Sequence, residues 1–200
     1  MIYLASKSPR RRELLRQLGV PFEELHLRES AGRARDVLEE AEDGEPPPHY
    51  VERIARTKAG VGWKRMEQRR LHIRPVLGAD TEVALDGEVL GKPRDATHAA
   101  AMLARLSGRT HEVLTGVALH SGDDVAFAMS VSRVTLRKLS AAEIERYVGS
   151  GEPLDKAGAY AIQGRAAAFV AHLEGSYSGV MGLPLYETAE LLAKAGIAVL

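Results

Sequence analysis

The start of the chain places three arginines where a helix is predicted to begin. Ser8 is a typical N-cap residue and Pro9 favours the first helical position. Arg10, Arg11 and Arg12 therefore occupy the first turn, where the positive end of the helix dipole disfavours cations. The cluster is either a solvated basic turn or an anion site, in which free N–H groups and guanidinium groups bind a phosphate together. Three consecutive helical positions cannot face one site, so Arg12 is expected to face solvent.

A lysine and an aspartate further along the chain are candidates for the same kind of site. Lys58 lies four residues after Ile54, on the apolar face of a helix predicted over 51–68. A lysine there either extends its ammonium to water or binds at a buried anionic site. Asp80 follows a buried strand predicted over 75–79, and the carboxyl end of such a strand is where α/β folds place active sites. This carboxylate could bind a hard metal ion or accept a proton, or it could cap its own turn.

The segment 151–164 is a candidate ligand loop, because it is bounded by glycines and interrupted by a proline and another glycine. It carries Lys156 and Gln163, and a glutamine amide can both donate and accept, so it can read the polar edge of a heterocycle. The alternative is a long turn without a ligand. Lys92 lies in a Gly-Lys-Pro turn, which is not a P-loop, since that motif needs Gly-Lys-Ser/Thr at the start of a helix.

Composition excludes several other chemistries. The 200 residues contain no cysteine, which excludes disulfides, thiolate zinc sites, iron–sulfur clusters and cysteine nucleophiles. No two of the seven histidines are spaced three or four residues apart, so a histidine zinc site has little support. At 175–179, Tyr177 stands where a hydrolase nucleophile elbow requires serine. The 27 basic and 27 acidic residues cancel, which disfavours a generic nucleic-acid binder.

The elements that must position these residues alternate between strand and helix. Strands are predicted over 2–5, 75–79, 112–119, 125–136 and 169–173, with a hairpin over 81–90 around Asp86-Gly87. Helices are predicted over 9–18, 51–68, 96–106, 140–148 and 184–194. This order predicts an α/β fold with a mixed twisted sheet flanked by helices, as one domain over 1–200.

Two further expectations concern the segment 29–50 and the location of the protein. The segment 29–50 is acidic and contains three consecutive prolines, so it is predicted to be an exposed loop with one helical turn near Val37 and Leu38. No apolar run approaches the roughly 20 residues of a membrane span. The apolar stretch at the start is too short for a signal peptide, so we expect a cytoplasmic protein.

Short motifs along the whole chain together resemble one known family. In order they include SKSPRR (6–11), GADT (78–81), GKP (91–93), LSG (106–108), EPLDKAGAYAIQG (152–164) and GLPLYET (182–188). This combination is similar to the Maf family, the septum-associated nucleoside triphosphate pyrophosphatases. The resemblance implies an α/β fold related to the inosine-triphosphate pyrophosphatases, with two lobes around a cleft. It also implies hydrolysis of a nucleotide to the monophosphate and pyrophosphate with a divalent cation (Mg²⁺, Mn²⁺ or Co²⁺).

The resemblance assigns roles to individual residues. Ala-Asp-Thr at 79–81 followed by Gln163 is similar to the subgroup that cleaves dTTP and UTP. Asp80 is implied as the proton acceptor and a metal ligand. The implied substrate-binding residues are Ser8, Arg10, Arg11, Lys58, Thr81, Lys92, Lys156 and Gln163. The chain departs from the family at Ala161, where glycine is more usual, and at Arg28, where the family frequently has aspartate before Glu-Ser. Glu29 matches the glutamate of that motif and is implied as an acidic metal partner.

A non-catalytic alternative remains open at this point. The chain could be a nucleotide-binding regulator of septation that keeps the cleft and performs no chemistry. Asp80 argues against this alternative, because a pure binder needs no acid facing a triphosphate. The predicted partner is the nucleoside triphosphate, with a homodimer as a further alternative, and neither nucleic acid nor a membrane is expected.

Overall fold

The computed structural model describes residues 1–28 and 36–199. The strands in this part of the chain are β1 (Ile2–Leu4), β2 (Phe22–Glu24), β3 (Val76–Leu85), β4 (Glu88–Val89), β5 (Thr110–Ser121), β6 (Asp124–Leu136) and β7 (Val170–Glu174). The helices are α1 (Pro9–Gln17), α2 (Pro47–Gln68), α3 (Ala96–Leu106), α4 (Ala141–Gly149), α5 (Tyr177–Met181) and α6 (Leu185–Lys194). Short 3-10 helices span Glu152–Asp155, Ala157–Ala159 and Arg165–Phe169.

The described strands form one mixed sheet in the order β2-β1-β3-β5-β6-β7, and β4 also pairs with β3. β1 is parallel to β2 and β3, whereas the other pairs are antiparallel. This confirms the predicted α/β fold with a mixed sheet flanked by helices. No helix in 1–28 or 36–199 combines the length and apolarity that crossing a bilayer requires.

Local signals set several of the helix boundaries. The Ser8 hydroxyl accepts a hydrogen bond from the backbone N–H of Arg11, and Gly19 ends this segment with φ of 69°. Ser140 and Glu143 form a capping box at the start of α4. α2 begins at Pro47, four residues earlier than predicted, because prolines in the first turn lose no intrahelical hydrogen bond. The helical turn expected near Val37 and Leu38 is wrong, since no helix forms there.

β3 is longer than predicted, and this changes the position of Asp80. Each residue from Val76 to Ala84 pairs with β5, so the strand continues past the expected end at residue 79. Asp80 therefore lies in the middle of a strand, and the expectation that it stands at a strand end is wrong. The predicted turn at Asp86-Gly87 is confirmed, with φ of 55° and 82° at its two residues.

The edge of β3 opens a cleft. β1 pairs with β3 only at Val76 and Leu77, and β4 pairs with it only at Ala84 and Leu85. Between these contacts, in the part of the chain that the structure describes, the edge has no strand partner. The side chains of Asp80, Thr81 and Glu82 line the cleft at this open edge, and the backbone groups of an unpaired strand edge are available to a ligand.

Two apolar clusters pack along β3 and flank the cleft. One joins α3 and α4 to Val83 and Leu85, and the other joins α1 and α6 to Leu77 and Ala79. All four of these β3 residues share a face, because side chains alternate along a strand. Thr81 lies on that face between the clusters, at the point where apolar packing gives way to the cleft.

Gly78 allows α2 to approach β3 closely. A Cβ at residue 78 would lie 2.5 Å from the backbone nitrogen of Ala59 and 2.7 Å from the carbonyl oxygen of Ala55. Backbone atoms cannot move aside as a flexible side chain can. Helix and strand would therefore have to separate.

We expect Gly78→Ala to lower the free energy of unfolding by about 1–3 kcal/mol, the usual cost of overpacking. Urea titration followed by circular dichroism measures the change. Gly149→Ala is the matched control, because no atom lies within 4 Å of its Cβ position. Alanine there should leave stability unchanged or raise it by up to about 1 kcal/mol through helix propensity. Equal stability of the two variants would contradict the close packing at Gly78.

Candidate functional site

The cleft contains a cavity of about 480 Å³ that unites the predicted site. It lies where α1, α2, the open edge of β3 and the segment 155–163 converge. The predicted site residues that line it are Ser8, Arg10, Arg11, Lys58, Asp80, Thr81, Lys92, Lys156 and Gln163. Glu29, the predicted acidic metal partner, falls outside the described residues.

Positive charge dominates this cavity although the whole chain is neutral. The basic residues of its described lining are Lys7, Arg10, Arg11, Arg28, Lys58, Lys92 and Lys156. The acidic residues of that lining are Glu39, Asp80, Glu82 and Asp155. The excess of basic groups favours an anionic ligand.

Arg11 is buried and held by uncharged oxygen atoms. Its Nε donates to the carbonyl oxygen of Gly182 at 2.8 Å, and its terminal nitrogens donate to the hydroxyls of Ser6 and Thr81 at 3.3 and 3.2 Å. Burial lowers the pKa of the guanidinium, partly offset by the charge of Asp80, yet arginine stays protonated in proteins. Arg11 therefore presents an un-neutralised, fixed positive charge at the cavity.

Arg10 faces the cavity and Arg12 faces away from it, as the sequence predicts. Arg10 lines the cavity, and its Nε donates to the carbonyl oxygen of Met181 at 3.2 Å. Arg12 is absent from the described lining and forms a 2.9 Å ion pair with Glu24 instead. Arg12, expected to face solvent, is thus partly exposed and paired with a carboxylate, whereas Arg10 and Arg11 line the cavity.

Lys58 occupies the buried anionic environment that was one of its two predicted alternatives. Its side chain comes from α2 and its Nζ donates to Asp80 Oδ1 at 2.8 Å. The same Nζ lies 2.6 Å from Glu39 Oε1. Lys58 is 9% exposed and Asp80 is 5% exposed, so this pair is largely shielded from water.

Asp80 keeps one oxygen unused. Its Oδ2 is buried and has no hydrogen-bond partner among the described residues, while Oδ1 is taken by Lys58. A buried acceptor without a donor is costly to the fold. An unused oxygen on a cavity-lining carboxylate is a candidate acceptor for a proton or ligand for a cation.

Glu39 is a site residue that the sequence analysis missed. It lines the cavity, contacts Lys58, and lies 3.8 Å from Lys92 Nζ. Burial alone would raise the pKa of its carboxyl, but Lys58, Lys92 and Arg11 outweigh burial and lower the pKa. Its sequence context shows no distinguishing signal, because it is one of several acids in an irregular acidic segment.

Glu82 is a second missed acid, and here a signal existed. It lies two residues after Asp80 on the same face of β3, which alternation would have placed in the cleft had the strand been extended. Glu82 is buried, and its Oε2 has no partner among the described residues. Burial, and next the charge of Asp80, raise the pKa of this carboxyl well above its usual range.

Thr81 is the centre of a small polar network. Its hydroxyl accepts from Arg11 and lies 3.0 Å from the hydroxyl of Thr115, a β5 residue that was also missed. Thr115 in turn donates to the carbonyl oxygen of Gly179 at 2.8 Å. The network fixes the Thr81 side chain at the floor of the cavity.

Gln163 and Lys156 lie on the opposite wall. Gln163 is exposed to the cavity, and no described residue forms a hydrogen bond with its amide. Lys156 contacts the Asp155 carboxylate, and its Nζ lies 3.4 Å from the carbonyl oxygen of Glu152. Nearby, the hydroxyl of cavity-lining Tyr160 lies 2.8 Å from His111 Nε2.

Comparison with known proteins gives one family. A family model described as Maf-like protein matches residues 1–195. A dTTP/UTP pyrophosphatase of Aromatoleum aromaticum is 56% identical over 196 residues, covering 98% of this chain and 95% of that protein. Relatives with the same name from Cupriavidus pinatubonensis and Dechloromonas aromatica are 57% and 53% identical, covering 97% and 98% of this chain and 96% and 97% of those proteins.

The burial of His111 generates a prediction about pH. Burial lowers the pKa of His111 to about 4, so the folded protein holds the neutral ring. In the unfolded chain the ring is protonated below its ordinary pKa of about 6.5. Unfolding therefore takes up a proton between these values, and stability falls as the pH is lowered from 6.5 to 4.

Between pH 7 and pH 4 we expect this residue to account for about 3 kcal/mol of lost stability. His111→Gln should remove that loss, so the free energy of unfolding should depend less steeply on pH than in the parent. Urea titrations at several pH values measure both slopes. His172→Gln, on the exposed face of β7, is the control and should keep the parental slope. Identical slopes for the parent and the His111 variant would show that burial does not lower the pKa of His111.

Proposed function

The chain belongs to the Maf-like protein family, and we propose that it hydrolyses dTTP and UTP to the nucleoside monophosphate and pyrophosphate. The observation that carries the proposal is a cavity in which basic side chains surround the buried carboxylate of Asp80. The name dTTP/UTP pyrophosphatase, shared by relatives more than 50% identical over nearly the whole chain, supports the same reaction.

The basic residues bind the triphosphate in this proposal. A nucleoside triphosphate carries about four negative charges, and hydrogen bonds to charged groups are the strong ones in a protein site. Arg10 and Arg11 offer guanidinium groups held by neutral oxygens, and Lys58 and Lys92 reach the cavity from another side. Lys156 and the start of α1 at Ser8 complete the phosphate-facing set. The same cations stabilise pyrophosphate as it leaves.

Asp80 is the catalytic acid–base residue in this proposal. Lys58 holds Oδ1 and thereby fixes the orientation of the carboxylate, while Oδ2 has no protein donor among the described residues. Oδ2 accepts the proton of a water molecule that attacks the α-phosphorus in line with the departing pyrophosphate. Attack at the α-phosphorus breaks the bond to the bridging oxygen and gives the monophosphate.

The residues present fit a divalent cation of the Mg²⁺, Mn²⁺ or Co²⁺ type. No three acidic or histidine side chains in the described ranges are grouped to hold a metal alone. Mg²⁺, however, commonly uses one or two carboxylates and takes its other ligands from phosphates and water. As the alternative to accepting a proton there, the unused oxygen of Asp80 would hold the ion together with Glu39, and the ion would supply charge neutralisation at the phosphates when bound. Glu29 stays a prediction as a metal partner.

Gln163 and Thr81 select the base in this proposal. Thymine and uracil present a 4-oxo acceptor beside an N3–H donor, and the glutamine amide can pair with both. Thr81 adds a hydroxyl to a neighbouring oxygen of the substrate. Cytosine presents the reverse pattern at positions 4 and 3, so it leaves polar groups unpaired unless the amide turns over.

A non-catalytic regulator of septation is not favoured. A protein that only binds nucleotide gains nothing from a buried carboxylate among its phosphate-facing cations, because the negative charge weakens the binding of an anion. The homodimer and the cytoplasmic location stay predictions, as does the expectation that neither nucleic acid nor a membrane is a partner.

Asp80→Asn should lower turnover of dTTP by at least about 10²-fold, the usual scale for loss of a general base. Asparagine keeps the shape and an oxygen acceptor for Lys58, so circular dichroism should report an intact fold. Pyrophosphate release with Mg²⁺ or Mn²⁺ present is the measurement. Asp123→Asn, in the exposed turn between β5 and β6, is the control and should retain parental turnover. Near-parental turnover in the Asp80 variant would refute the role of this carboxylate.

A panel of canonical and modified triphosphates tests the proposed substrate. We expect dTTP and UTP to be cleaved faster than CTP, and purine triphosphates to be cleaved poorly. Gln163→Ala should flatten this ranking more than it slows the best substrate, because the cations and Asp80 are retained. Gln17→Ala, on the exposed side of α1, should preserve the ranking. Equal rates of the parent enzyme on dTTP, CTP and GTP would eliminate base reading by Gln163.

A further inference from the structure

The turn that carries Gln163 is fastened from outside the cavity by Glu152. Glu152 Oε1 accepts a hydrogen bond from the hydroxyl of Tyr147 at 2.9 Å. Glu152 Oε2 accepts from the backbone N–H of Arg165 at 3.1 Å. Glu152 is not among the described residues that line the cavity, so any influence on the substrate must act through these contacts.

Tyr147 holds the backbone on the other side of Gln163. Its hydroxyl accepts a hydrogen bond from the backbone N–H of Ala161 at 3.3 Å while it donates to Glu152. The ring is 4% exposed on α4 and packs edge-on against Phe169, with centroids 5.2 Å apart. A rigid ring and one carboxylate thereby hold the backbone two residues before and two residues after Gln163.

Gly164 marks how closely the carboxylate packs on this turn. A Cβ at residue 164 would lie 2.4 Å from Glu152 Oε1 and 2.7 Å from Oε2. The carboxylate is held by two donors, so it cannot swing away without breaking hydrogen bonds. The absence of a side chain at Gly164 therefore lets the Glu152 carboxylate pack against the turn that carries Gln163.

The preceding backbone is held in a strained conformation. Ala159 has φ of 60°, a value that L-residues with a Cβ rarely adopt. The adjacent Gly158 has φ of 67°, and its N–H donates to the carbonyl oxygen of Gly91 at 2.8 Å. Such a conformation persists only where the surroundings impose it. The path of the chain into Gln163 is thus set by external contacts and not by local preference.

We propose that Glu152 is a positioning residue for base selectivity, acting through Tyr147 and the Arg165 N–H to fix the backbone on both sides of Gln163. The proposal rests on the proposed reading of the base by Gln163. No described residue bonds the Gln163 amide, so its direction depends on where the backbone places it. A loosened turn lets the amide present either its oxygen or its nitrogen to the base, which removes the distinction between a 4-oxo and a 4-amino pyrimidine.

Glu152→Ala should lower the ratio of kcat/KM for dTTP over CTP by about tenfold, the scale of a hydrogen bond to a charged group. The change should arise mainly in KM, because the phosphate-binding cations and Asp80 are untouched. Tyr147→Phe, which removes only the hydroxyl, should shift the ratio in the same direction. Glu152→Gln, which keeps one acceptor oxygen, should lie between the parent and Glu152→Ala. Glu145→Ala, an exposed neighbour on α4, is the control and should keep the parental ratio.

The same substitution in a Gln163→Ala background separates positioning from general damage. If Glu152 acts through Gln163, adding Glu152→Ala to Gln163→Ala should change the dTTP to CTP ratio no further. Hydrogen exchange should report faster exchange at the Ala161 and Arg165 amides in Glu152→Ala and Tyr147→Phe, as lost anchoring requires.

Two results would overturn the role of Glu152 alone. One is a parent that prefers dTTP while both Glu152→Ala and Tyr147→Phe keep its ratio. The other is an equal further loss of selectivity in the Gln163→Ala background. A parent that cleaves dTTP and CTP equally would instead overturn base reading itself, and the selectivity role of Glu152 with it.

Discussion

The ion pair between Lys58 and Asp80 constrains the rest of the cleft. A carboxylate and an ammonium taken out of water each cost several kcal/mol unless they are paired in good geometry. Here the Nζ–Oδ1 distance is 2.8 Å, and Glu39 supplies a second oxygen at 2.6 Å from the same Nζ. α2 must therefore lie tightly on β3, which the absence of a Cβ at Gly78 permits. The close packing of α2 on β3 is thus also what places the Asp80 carboxylate beside Lys58.

The cations of the site are held in two different ways, with different consequences. Arg10 and Arg11 bond to carbonyl and hydroxyl oxygens, so they are positioned without being neutralised. Arg12, by contrast, is paired with Glu24 and contributes no charge to the cavity. Lys58 is paired with carboxylates, so its charge also serves to orient Asp80. In the proposed function, a triphosphate would meet the charges of Arg10 and Arg11 on one wall and the oriented carboxylate of Asp80 beside Lys58.

The wall that carries Gln163 lies in a segment without long helices or strands. The segment 151–169 consists of 3-10 helices and turns, which pack side chains less regularly than a strand or a long helix. Its geometry comes from hydrogen bonds that reach it from α4, from the Gly91 turn and from His111. The wall formed by α1, α2 and β3 and the wall that carries Gln163 are thus held by different kinds of contact.

Local patterns in the sequence were sufficient for much of the fold and for the basic half of the site. Ser8-Pro9, Gly19 and the Ser140–Glu143 capping box set helix ends through contacts within a few residues, which a sequence displays directly. Arg10, Arg11 and Lys58 were identified because a cation at a helix start or on an apolar face conflicts with local physics.

What the sequence could not determine depends on contacts between distant segments. β3 continues through Asp80 because β5 pairs with it, and local composition alone predicted an end at residue 79. Glu82 enters the cleft as a result of that pairing, and Glu39 does so only because an irregular acidic segment folds against Lys58. The capping residues depend on neighbours in the sequence, whereas the burial and charge state of Glu39 and Glu82 depend on the cavity that separate elements enclose. That space exists only once α2, β3 and the Gln163 turn have packed together.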